Sequence, residues 1–195
     1  MLRRAKRMSL AADVEAATLK VLALARAHED ANGPVQDALA DRDGADDDLD
    51  LTAKSARGTL AGRAVDAARK GPYTLIFPDG IDYYTAAPLD KQVSRYGELI
   101  DRLEEHLPGG DPVRLEAVPA LKTGIAAFTG AVEMLAKART DEALAGTRLE
   151  AAEDEWARLL TKVYGFLLAE LGRAAAERFF PKAKSGTKKP GGDRG

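Results

Sequence analysis

The chain of 195 residues has no cysteine. That removes disulfides, thiolate nucleophiles and sulfur-ligated zinc from the chemistry open to it. Histidine occurs only at His28 and His106. No run approaches the ~18 apolar residues of a membrane span. The basic start, MLRRAKRMSL, leads into apolar residues broken by Asp13, Glu15 and Lys20. A secretory h-region tolerates few such charges. A large excess of one charge is missing too: 29 Lys and Arg stand against 31 Asp and Glu, a net charge of -2. The chain as a whole therefore implies no strongly electrostatic partner. These absences, with an Ala-rich and Arg-rich composition of bacterial kind, lead us to expect a soluble, cytoplasmic protein.

What is present is helical periodicity. Leu10, Val14, Ala17, Val21, Leu24 and His28 step by four and three, predicting a first helix over residues 9–31. Ser9 is a suitable cap, and Asn32-Gly33-Pro34 reads as a stop. Residues 34–50 read as a turn or short helix and an acidic loop, followed by a small-residue helix over 47–70. Gly58 and Gly62 lie inside that helix, so it needs close packing to persist. A third helix is expected over 89–106, and a fourth over 112–139 behind the Asp111-Pro112 start signal. Pro119 is expected to kink or split the fourth. A fifth helix is expected over 141–180. It carries one stripe of Ala152, Trp156, Leu159, Val163 and Phe166, and beside it Leu160, Tyr164, Leu167, Leu171 and Ala174. Two adjacent stripes predict a helix that touches at least two others. Gly165 and Gly172 are expected to admit a close neighbour, with Gly124 and Gly130 as facing notches. The reading is an all-α, antiparallel bundle of four to five helices. It forms one domain over 9–181, between a flexible basic arm at 1–8 and a disordered basic tail at 182–195.

The exception is GPYTLIFPDGIDYYTAAP, residues 71–88. Pro78, Asp79 and Gly80 form a turn signal with a mechanism: Pro presets φ, Asp bonds its own backbone and Gly accepts positive φ. A short β-hairpin over 73–85 is expected. Its register sends Tyr73, Leu75, Phe77, Ile81 and Tyr83 to a core-plugging face. Ile76, Asp82 and Tyr84 fall on the other face, together with Thr74, and become candidate interaction residues, because tyrosine combines contact area with a polar tip.

Chemical motifs are scarce. A di-metal bundle site needs Glu-x-x-His, but Ala25 and Leu103 stand three residues before His28 and His106. Both histidines suit the cation-favouring end of a helix. With Gly44 at the sixth position of a calcium loop, Asp41, Asp43 and Asp50 align, but Leu39 holds the first position and the twelfth lacks Glu. Ser185 and Lys188 match S-x-x-K without partner motifs, and no G-x-S-x-G or phosphate loop occurs. No catalytic residue, cofactor or metal ligand is assigned. The ends are basic: Arg3, Arg4, Lys6 and Arg7 at one, and Lys182, Lys184, Lys188, Lys189 and Arg194 at the other. The resulting expectation is a non-enzymatic helical interaction or scaffold protein with a protein partner or self-association. The alternative is an architectural protein that binds nucleic acid or an anionic surface weakly through its basic termini.

Overall fold

The structure is a computed structural model and describes residues 2–180, with side chains from Arg7 onward. It is all-α, and among the described residues there is no strand. Six α-helices follow in order: α1 Leu2–Ala61, α2 Tyr73–Ile76, α3 Asp82–Thr85, α4 Gln92–His106, α5 Pro112–Leu171 and α6 Arg173–Ala176. Short 3-10 turns occupy Ala67–Arg69 and Glu177–Phe179.

The expected bundle of four to five helices is replaced by two 60-residue helices and shorter pieces. The helix expected at 9–31, the acidic loop and the helix expected at 47–70 form one helix as far as Ala61, and residues 62–70 turn instead. Those expected at 112–139 and 141–180 are one helix as far as Leu171, where Gly172 at φ +77° ends it. Pro34 and Pro119 sit inside α1 and α5. Proline deletes one helical hydrogen bond and crowds the preceding turn, a cost of about 3 kcal/mol. Packing outweighs it at Pro34, because Val35 and Ala38 are buried against Leu135. Asn32 also accepts a hydrogen bond from Gln36 Nε2 at 3.2 Å, one turn along. Gly33 is therefore a helix-interior glycine, with open space where a Cβ would stand. Replacing it should stabilise the helix: Gly33→Ala is expected to gain about 0.5–1 kcal/mol in thermal unfolding. A loss of stability would instead restore the αL stop expected at that residue.

The chain divides into two compact units, Met1–Ala27 with Gly146–Gly195, and His28–Ala145. The second holds the main core. Leu49, Ala53, Ala56 and Leu60 of α1 meet Tyr96, Leu99, Ile100 and Leu103 of α4, and Val113, Ala117, Leu121 and Phe128 of α5. Their spacing by threes and fours is the periodicity visible in the sequence.

Asp111 starts α5 as expected. Its Oδ1 accepts the Val113 N–H at 2.9 Å, and Arg63 donates to Oδ2 at 2.8 Å and Oδ1 at 2.6 Å. The Arg63 hydrogen bond, aided by the Val113 N–H, holds this carboxyl below its ordinary value of 3.8. A carboxyl depressed by folding contributes stability above its unfolded pKa and loses it as pH falls through the lower folded value. Asp111→Asn keeps the cap but loses the ion pair, and is expected to cost about 0.5–1 kcal/mol at neutral pH and to flatten the stability loss below about pH 4. Parallel acid limbs in wild type and variant would contradict this.

Candidate interaction surfaces

The aromatic stretch does not form the expected β-hairpin. Each arm is a single helical turn, with Ile76 N–H and Phe77 N–H bonded to the Pro72 and Tyr73 carbonyls at 3.1 and 2.9 Å. On the other arm Thr85 N–H and Ala86 N–H reach Ile81 and Asp82 at 3.1 and 3.0 Å. Local i to i+4 bonds satisfy backbone groups that a lone two-stranded hairpin leaves unpaired along its edges. The turn itself is as read: Gly80 has φ +79° and its N–H bonds to Phe77 C=O.

Changing strand to helix changes which side chains face inward. Consecutive strand residues point to opposite sides, whereas helical neighbours differ by about 100° and can share one. Ile76 and Tyr84, expected on an exposed face, are fully buried, while Leu75, expected in the plug, is 52% exposed. Only Asp82 of the three candidates is exposed. The Tyr84 hydroxyl donates to Ile76 C=O at 2.8 Å and accepts from Arg102 at 2.7 Å. Its ring meets Phe77 and Tyr83 edge-on, with centroids 5.8 and 5.1 Å apart. Tyr83 donates to Glu98 at 2.6 Å and lies under the Arg95 guanidinium, 3.5 Å from ring centroid to Cζ. This cluster is a structural joint, with Ile76 and Tyr84 inside it.

The less completely covered apolar surface lies in the unit of Met1–Ala27 and Gly146–Gly195. There α1 and α5 run antiparallel. Lys20 pairs with Glu155 at 2.7 Å, Trp156 donates to Thr18 Oγ1 at 3.0 Å, and Arg7 reaches Glu170 at 3.6 Å. Of the hydrophobic residues described in this unit, only Ala152 and Ala176 are buried. Residues of both α5 stripes, Val163 and Phe166 of the first and Leu160, Leu167 and Leu171 of the second, face the apolar space beside α1. A groove of about 480 Å³ results, with Leu10 and Val14 on one wall and Leu160, Leu167 and Leu171 on the other. Gly172, at φ +77°, reverses the chain after α5 and brings Phe179 and Phe180 to the groove's end. Phe180 meets Tyr164 edge-on at 5.3 Å, and Phe179 stays 64% exposed. The expected contact at Gly165 is absent, since open space surrounds it. The sequence signal for this surface is the doubled stripe. It predicts a second neighbour, and among the described residues of the unit Phe180 reaches that stripe at Tyr164 while Leu160, Leu167 and Leu171 line the open groove.

Residues 41–50 belong to α1 rather than to a loop, and among the described residues no group of three or more His, Asp or Glu could hold a metal ion. Burial and the neighbouring Asp50, Asp47 and Asp43 push the Asp46 carboxyl upward. His106 ends α4, whereas His28 lies mid-helix in α1, not at the expected C-terminus. Lys182, Lys184, Lys188, Lys189 and Arg194 lie outside the described residues. Among those described, no helix is long and apolar enough to cross a membrane. No family model, curated protein or solved structure matches this chain.

Proposed function

We propose that the protein is a non-enzymatic helical interaction or scaffold module that receives a helical partner on the apolar groove between α1 and α5. The observation that carries this is the second stripe of α5: Leu160, Leu167 and Leu171 line an open groove with Leu10 and Val14. Helices recognised in this way bury apolar side chains at i, i+3, i+4 and i+7 against such a channel.

The test is recovery of partners from the native host on immobilised full-length chain, read by mass spectrometry. Wild type is expected to retain a helical protein, further copies of this chain included. Leu167→Glu, which places a charge in the groove, is expected to lose it, with helical content and melting followed to show that the variant folds. Identical recoveries by wild type and Leu167→Glu would sink the reading. Recovery of nucleic acid that disappears with salt and with deletion of residues 182–195 would replace it with the charge-driven alternative.

A further inference from the structure

Resting on that reading, we propose that the partner in the groove is a second copy of this chain, docked about a two-fold axis so that two α1/α5 pairs complete a four-helix bundle.

The side chains along the groove wall follow an order. Arg7, Ala11 and Glu15 all line it. Spaced by four, they form one line on α1. The line reads cation, small residue, anion, symmetric about Ala11. A two-fold contact is self-complementary: if one residue meets another across it, the reverse contact forms as well. With the axis at Ala11, each Arg7 faces the partner's Glu15, and the two alanines let the helix backbones approach. Arg7 also pairs with Glu170 of its own chain, and its side chain is still 46% exposed. A guanidinium has five donors and can serve both carboxylates.

The symmetric stretch is short. From Arg7 to Glu15 the face about Ala11 is about 12 Å long at 1.5 Å per residue, and two helices make it about 22 Å wide. That is ~260 Å² on each copy and ~500 Å² in total, the size of a weak, transient contact. The association is accordingly set in the upper micromolar to submillimolar range. Residues 181–195 contain no Leu, Ile, Val, Met, Phe, Tyr or Trp. That segment has no large apolar side chain with which to fill the groove.

The experiment is sedimentation equilibrium of the full chain from micromolar to submillimolar concentration. Wild type is expected to move from the monomer mass toward twice that mass. Glu15→Arg turns two symmetry-related attractions into repulsions, and is expected to raise the dissociation constant about tenfold. The double variant Arg7→Glu/Glu15→Arg re-creates the pair with its signs exchanged, and is expected to recover most of that loss. Glu15 is exposed, so its replacement leaves the fold in place. Leu167→Glu is expected to remain monomeric throughout. A wild type that stays monomeric, or a dimer indifferent to Glu15→Arg and Leu167→Glu, overturns the proposal. So does a double variant no tighter than Glu15→Arg alone. A monomeric wild type that still captures another helical protein through Leu167 would overturn self-association and leave the interaction reading standing.

Discussion

Tyr84→Ala should destabilise the His28–Ala145 unit by about 3–5 kcal/mol in denaturant unfolding, and should do so without any partner present. The ring is fully buried and leaves a cavity bordered by Phe77, Tyr83 and Tyr96. Tyr84→Phe separates packing from hydrogen bonding. It keeps the ring but strands the Ile76 carbonyl, which receives the hydroxyl proton, and removes an acceptor from Arg102. A stranded buried polar group costs about 1–3 kcal/mol, so the phenylalanine variant should fall between wild type and alanine. Burial also pushes the Tyr84 hydroxyl above its ordinary value, and Tyr96 shifts in the same direction for the same main reason. A group whose folded pKa is raised contributes stability that is complete below its unfolded pKa and is lost as pH rises through the folded one. Wild-type stability should thus decline above about pH 10, with a shallower decline in Tyr84→Phe. If Tyr84→Ala changes stability by less than about 1 kcal/mol, the ring is not the joint described here.

The same tyrosine shows where sequence reading succeeds and where it fails. The turn at Pro78-Asp79-Gly80 is legible because it depends on local dihedrals, and Gly80 has the required positive φ. The arms are not legible. Four or five residues rich in Tyr, Ile and Thr favour a strand by propensity, but propensity is weak against tertiary context. Here α4 supplies a surface on which single helical turns bury Ile76, Phe77 and Tyr84 together. The stop at Asn32-Gly33-Pro34 fails for a related reason. Its signals are local, while Val35 and Ala38 pack against Leu135, about a hundred residues away in sequence. Periodicity survives these errors: the stripes on residues 10–24 and 152–171 lie on helices as read. Their surplus of apolar positions is visible in the sequence. Its consequence, an open apolar groove, needs the paired geometry of α1 and α5.

Gly124→Ala should destabilise wild type yet stabilise Leu49→Ala. A Cβ at Gly124 would stand 2.7 Å from one Leu49 methyl and 3.0 Å from its Cγ. Leu49 is 1% exposed, so it has little room to withdraw. Overpacking of this kind costs about 1–3 kcal/mol, against about 1 kcal/mol regained from helix propensity. The net change in wild type is a loss of up to about 2 kcal/mol. Leu49→Ala alone opens a cavity and should cost about 2–5 kcal/mol. In that background the new methyl meets no side chain and enters the vacated space, so the clash disappears while the propensity gain remains. The two substitutions should therefore be coupled by about 1–3 kcal/mol, measured as a double-mutant cycle in urea. Gly130 supplies the control within α5. Although expected as a second notch, it has nothing within 4 Å of the point where a Cβ would stand, so Gly130→Ala should stabilise both backgrounds equally. Additive costs at Gly124 and Leu49 would mean that the close approach of α5 to α1 is not made at this pair. A sign reversal at Gly124 together with constancy at Gly130 would locate it there.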